Sequence, residues 1–85
     1  MELTDLPNIG PVLAENLRKI GVNDSASLQE LGAESAWLAI RSQVDGGACL
    51  HQLQALAGAV EGVAKKDLSP ARKAELKTFF EAQKK

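Results

Sequence analysis

From Cys49 to Val63 the apolar residues fall at alternating steps of four and three: Cys49, Leu53, Leu56, Val60 and Val63. That spacing puts them on one stripe of an α-helix and on no single face of a strand. Between them stand Ala55, Ala57, Gly58 and Ala59, small enough to let neighbouring structure come close. The segment is therefore expected to be a central helix with packing on several sides. Gly58 costs roughly 1 kcal/mol relative to alanine in a helix interior, so a packing reason for it is expected, namely the close approach of a neighbouring helix.

The rest of the chain is punctuated into helix-sized lengths. Thr4-Asp5-Leu6-Pro7 reads as one helical turn with Thr4 as its cap, and Asn8-Ile9-Gly10 as a tight turn. Pro11 stands where helices begin; Leu13, Leu17 and Ile20 then repeat at helical spacing until Gly21. Asn23-Asp24-Ser25 supplies caps for a short helix carrying Leu28 and Leu31. A third helix is expected from about Glu34, with Trp37, Ile40 and Val44 on one side, broken by Asp45-Gly46-Gly47. Ser69-Pro70 opens a last helix docked by Leu76, Phe79 and Phe80, and residues from about 81 to 85 are expected to fray. No stretch sustains period-two alternation. The expectation is one all-α domain over residues 1–85, a compact bundle of about five helices.

One pattern occurs twice. Leu6-x-x-Ile9-Gly10-x-x-x-Ala14 returns 22 residues later as Leu28-x-x-Leu31-Gly32-x-x-x-Ala36. Each copy reads as a short helix, a glycine turn with positive φ, and a longer helix packed closely through its alanine. Two such units would share one core; chance similarity in a Leu- and Ala-rich chain is the alternative.

Composition narrows the function. Cys49 is the single cysteine and His51 the single histidine. Two residues apart on a helix they point about 200° away from each other, which disfavours both a metal pair and a catalytic pair. Cys49 is expected to be a buried thiol, His51 a surface residue and Trp37 a core residue. Neither a phosphate-binding loop nor a dinucleotide fingerprint occurs. No enzyme, metal or cofactor is expected. The apolar runs are too short to span a membrane, and the first residues lack the pattern of a secretion signal; the expected location is the cytoplasm.

Charge is uneven. Residues 1–61 carry three basic side chains against eight acidic ones, and residues 62–85 carry seven against three. Lys65, Lys66, Arg72, Lys73 and Lys77 are thus a candidate face for an anionic partner; the alternative is a solvated helix face.

Leu6-Pro7-Asn8-Ile9-Gly10-Pro11, followed by Ala14, Leu17 and Ile20-Gly21-Val22, resembles a helix-hairpin-helix signature. With Asp24 through Leu31-Gly32-Ala33, Leu53-x-x-Leu56-x-Gly58-Ala59 and Glu61-Gly62, the chain is similar to the C-terminal domain of the TfoX/Sxy competence-regulator family over about residues 3–80. Longer members join this domain to a separate N-terminal domain and regulate bacterial DNA-uptake genes. The resemblance implies a helical interaction module with an unidentified protein partner. It also implies a second possibility, weak sequence-independent binding of double-stranded DNA. The turn Asn8-Ile9-Gly10 and the N–H groups of Gly10, Val12 and Leu13 would then face a phosphate, with Arg18 and Lys19 adding charge. Against this, Asn8 stands where DNA-binding hairpins usually have glycine, Val12 stands near their usual basic residue, and Glu15 and Glu34 follow the two turns. A third possibility is a homo-oligomer, such as a homodimer, because a domain this small has limited core.

Overall fold

The computed structural model describes residues 2–83. A 3₁₀ turn at Leu3–Asp5 leads to five helices: α1 (Pro11–Lys19), α2 (Ser25–Leu31), α3 (Ala33–Gln43), α4 (Leu50–Glu61) and α5 (Pro70–Ala82). A second 3₁₀ turn, Lys65–Asp67, precedes α5, and no strand occurs among the described residues. The chain is all-α, as its periodicity requires.

Local chemistry explains most boundaries. Pro11 and Pro70 both open their helices, where a missing N–H costs nothing. The Asp24 carboxylate accepts from the Ser27 amide at 2.8 Å, and the Ser69 hydroxyl accepts from the Arg72 amide at 3.1 Å. Both are side-chain N-caps. At the end of α1 the Gly21 amide donates to Arg18 O (3.0 Å) and the Val22 amide to Leu17 O (2.9 Å). This paired pattern satisfies two terminal carbonyls and buries Val22 against the helix end.

α4 is central: it packs against α2, α3, α5 and the second 3₁₀ turn. It buries Leu53, Ala55, Leu56, Ala57, Gly58 and Ala59, so the stripe of small residues lies inside. Trp37 is fully buried; its indole N–H donates to Cys49 O at 3.1 Å, and Phe79 and Phe80 meet it edge-on at 6.1 and 5.7 Å.

Several expectations are corrected. The first 3₁₀ turn begins at Leu3 with no side-chain cap; burial of Leu3, not capping by Thr4, fixes it. Cys49 is exposed. It is the extended N-cap of α4 (φ −108°, ψ 172°), because its carbonyl is held by Trp37 and Ala48 takes the buried place. Of the stripe expected on the central helix, Val60 and Val63 are only half-buried; on α2, Leu28 is buried and Leu31 exposed. Glu81 and Ala82 complete the last turn of α5; the expected fraying at Lys84 and Lys85 lies outside the described residues.

Candidate functional site

The hairpin entering α1 is built on Asn8. Its φ is +69°, the one positive value at a non-glycine among the described residues, a region that asparagine tolerates better than most side chains. Gly10 is extended (φ −92°, ψ −179°), so the left-handed residue of this turn is Asn8 and not the glycine. The Asn8 amide Nδ2 donates to Val63 O (3.0 Å) and Ala55 O (3.3 Å), and its Oδ1 accepts from the Lys65 amide (3.1 Å). One side chain thus joins the hairpin to α4 and to the start of the basic segment.

Gly58 makes room for this clasp. A Cβ there would lie 2.5 Å from Asn8 Nδ2 and 2.6 Å from Val63 O. The expected packing reason for Gly58 is real, but what approaches is the Asn8 side chain and a loop backbone, not a neighbouring helix. The sequence signal for it was a pair: asparagine in place of a hairpin glycine, and a glycine inside the central helix.

The candidate phosphate donors divide. Ile9 and Leu13 are core side chains, while Gly10 and Val12 face solvent, Val12 with 75% of its surface exposed. Arg18 and Lys19 lie in the last turn of α1, roughly 10 Å of helix rise from its start. Arg18 pairs with Glu15 at 3.7 Å. Both cations complement the carbonyl end of α1 and stand apart from the hairpin amides.

The basic segment divides too. Arg72 is held in a bidentate pair with Glu34, both contacts at 2.8 Å, and lies 3.5 Å from Glu61 and 3.6 Å from Glu75. The guanidinium beside Glu34 holds that carboxyl below the usual glutamate range, against the opposing effect of partial burial. The same pair pushes the guanidinium's own pKa up. Arg72 therefore serves to join α3, α4 and α5. Lys73 donates from Nζ to Lys66 O at 3.1 Å, which brings Lys66 and Lys73 together, and Lys77 is exposed one turn further along α5. Because Lys65 is tied to Asn8, the start of the lysine-rich segment lies beside the hairpin turn. Spacing alone did not reveal this juxtaposition.

His51 and Cys49 are both exposed. Among the described residues, no group of three or more His, Cys, Asp or Glu side chains is placed to hold a metal ion. No helix among them is long and apolar enough to cross a membrane.

This arrangement defines a small all-α domain organised by two helix-joining turns around a central helix. The chain belongs to the TfoX C-terminal domain family, whose model matches residues 1–80. The fold is similar to that of an uncharacterised protein from Listeria monocytogenes in a triclinic crystal form. The TM-score is 0.96 at 38% identity, covering 99% of this chain and 94% of that one. A tetragonal crystal structure of a protein of unknown function from Listeria monocytogenes gives 0.93 at 39% identity, covering 96% and 99%. No curated protein gives a significant match.

Proposed function

We propose that this domain is a non-enzymatic protein-interaction module of the kind carried by competence regulators. The observation that carries this reading is the Asn8 clasp. The polar side chain of the hairpin is committed to Ala55, Val63 and Lys65 within the domain, which makes the turn a structural joint. Among the described residues the large apolar side chains left in solvent are Val12, Leu31 and Leu38, and they are the candidate points of contact for a protein partner. Membership of the family supports a cytoplasmic, regulatory setting. The partner to test first is the N-terminal domain of a TfoX-type regulator, because longer family members carry both domains. Calorimetric titration should detect their binding, weakened about ten-fold or more by Val12→Asp. No heat at about 100 μM protein, a concentration that reveals even weak complexes, would remove this partner.

A second reading rests on the juxtaposition of the hairpin with Lys65: weak, sequence-independent binding of duplex DNA. Anisotropy of a labelled 20-base-pair duplex tests it. Dissociation constants of roughly 10⁻⁴–10⁻⁶ M that weaken steeply with salt would favour DNA. Gly10→Asp is then the decisive variant. Position 10 is extended with open space around its would-be Cβ, and aspartate is a good N-cap, so the fold is kept while a carboxylate faces the phosphate. Undiminished binding would exclude the hairpin as the contact. A mass that rises with concentration in light scattering would instead favour a homo-oligomer.

A further inference from the structure

α5 is held differently from the other long helices. Of its thirteen residues only Leu76 is buried, whereas α4 buries six of twelve. Phe79 and Phe80 are half-buried and close over Trp37. Each end of the helix is tied by an arginine. In its first turn Arg72 reaches Glu34 at the start of α3 and Glu61 at the end of α4; Glu75, on α5 itself, is the other charge facing it. Just past the last turn, the Arg41 guanidinium of α3 donates to Gln83 O at 3.1 Å and lies 5.5 Å from the centre of the Trp37 ring.

Such ties are partly open to water and are screened by salt. The chain before α5 is anchored differently, by Leu68, which is buried. Ser69, between that anchor and the helix, and Pro70, the helix's first residue, are exposed. A rotation about Ser69 would carry α5 away as one piece, breaking the bond from Lys73 Nζ to Lys66 O, while Leu68 and everything before it stay in place.

We propose that α5 is a releasable strap, which opens about Ser69 ahead of the rest of the domain when the Arg72–Glu34 tie is lost, and so uncovers the Trp37 face of α3. Local opening of this kind is expected where a helix buries few apolar side chains. The strap governs access to a face that the closed domain hides. It does not depend on the partner reading above, because it is read on the free protein.

Amide hydrogen exchange of the full chain, followed by mass spectrometry, tests it. The segment 70–83 should exchange about ten-fold or more faster than α3 and α4, as a sub-global unit does. Glu34→Gln should speed α5 by about five-fold, as expected for a partly exposed ion pair, and leave α3 and α4 unchanged. Trp37 is the single tryptophan, and the chain has no tyrosine, so acrylamide quenching of its emission reports the same opening. If Glu34→Gln fails to fold, the wild type in about 1 M salt screens the tie equally. α5 exchanging in step with α4 in the wild type would overturn the proposal. So would an α5 rate unmoved by both Glu34→Gln and salt, or one that rises only together with α3 and α4.

Discussion

The two helix-joining turns carry the same spacing of Leu, Gly and Ala, yet they are secured by opposite means. At the first, Asn8 takes the positive φ (+69°) and Gly10 is extended. At the second, Gly32 itself takes it, at φ 87° and ψ 158°. The helix starts nevertheless correspond. Ala14 donates to Gly10 O at 3.0 Å and Ala36 to Gly32 O at 3.1 Å, and both alanines are fully buried. What differs is the bond to the rest of the domain. The first turn is fixed to α4 by neutral hydrogen bonds from an asparagine. The second is fixed to α5 by an ion pair, Glu34 with Arg72. A pattern of small and apolar residues therefore sets where the helices pack. The polar residue placed beside it sets which element they are tied to, and under what conditions the tie holds.

The largest expected effect comes from closing the space that the first clasp uses. Gly58→Ala gains helix propensity worth roughly 1 kcal/mol, but its Cβ falls 2.6 Å from Val63 O, a backbone atom that moves only with the loop. Overpacking costs typically 1–3 kcal/mol, and a clash this close with a backbone atom lies at the upper end, so a net loss of about 2 kcal/mol is expected in urea denaturation. A variant as stable as the wild type would mean that the loop yields freely and the clasp is not tight.

Next comes the second turn. The φ and ψ of Gly32 lie in a region reserved almost wholly for glycine, where other residues carry strain on the order of 1–3 kcal/mol. Gly32→Ala should cost about 1–2 kcal/mol after the gain from a stiffer unfolded chain. Denaturation midpoints of the two alanine variants, compared side by side, rank the clasp against the turn. Gly32→Ala as the more damaging change would reverse the expected order.

The local half of this architecture was legible in the sequence. Pro11, Gly21, Asp24 and Ser69-Pro70 mark helix ends through bonds made within a few residues, so composition alone locates them. Trp37, Leu53 and Leu56 fall inside because helical spacing puts them there. Cys49 was misplaced because its orientation is set from α3, by the Trp37 indole on its carbonyl. Leu31 is exposed because α2 ends at that residue and its inward stripe stops with Leu28. In the candidate site, the hairpin position was legible but its left-handed residue was not. Positive φ was expected at Gly10, the commoner host, and Asn8 takes it through partners 47 to 57 residues away. Arg72 likewise reads as one more cation until Glu34 and Glu61 are seen beside it.

A smaller effect distinguishes the ties by pH. Arg72 lowers the folded-state pKa of Glu34, so the pair's contribution is fully present above the ordinary glutamate value, near pH 4.3. It is lost as pH falls from there through the folded value. Both side chains are partly exposed, so the amount involved is about 1 kcal/mol or less. Stability measured between about pH 3 and 6, a range that brackets that value, should fall less steeply toward acid in Glu34→Gln than in the wild type. Some slope will remain, because the Ser27 amide also lowers the Asp24 pKa. Identical slopes in the two proteins would show that the second turn is not held by charge.

Gly10→Ala should do least, and it probes the comparison most directly because it alters the residue that the two copies share. Gly10 has the backbone of an ordinary extended residue, and nothing lies within 4 Å of the Cβ it would gain. As the N-cap of α1 it makes no side-chain bond that alanine could remove. Alanine is a poorer N-cap than glycine by roughly 0.5–1 kcal/mol, and it removes about 0.4–1 kcal/mol of unfolded-chain freedom. The two nearly cancel, so the denaturation midpoint should stay within about 0.5 kcal/mol of wild type. A loss as large as that of Gly32→Ala would mean that Gly10 visits a left-handed conformation after all. The two turns would then be secured by the same device, and the contrast between them would rest on Asn8 and Glu34 alone.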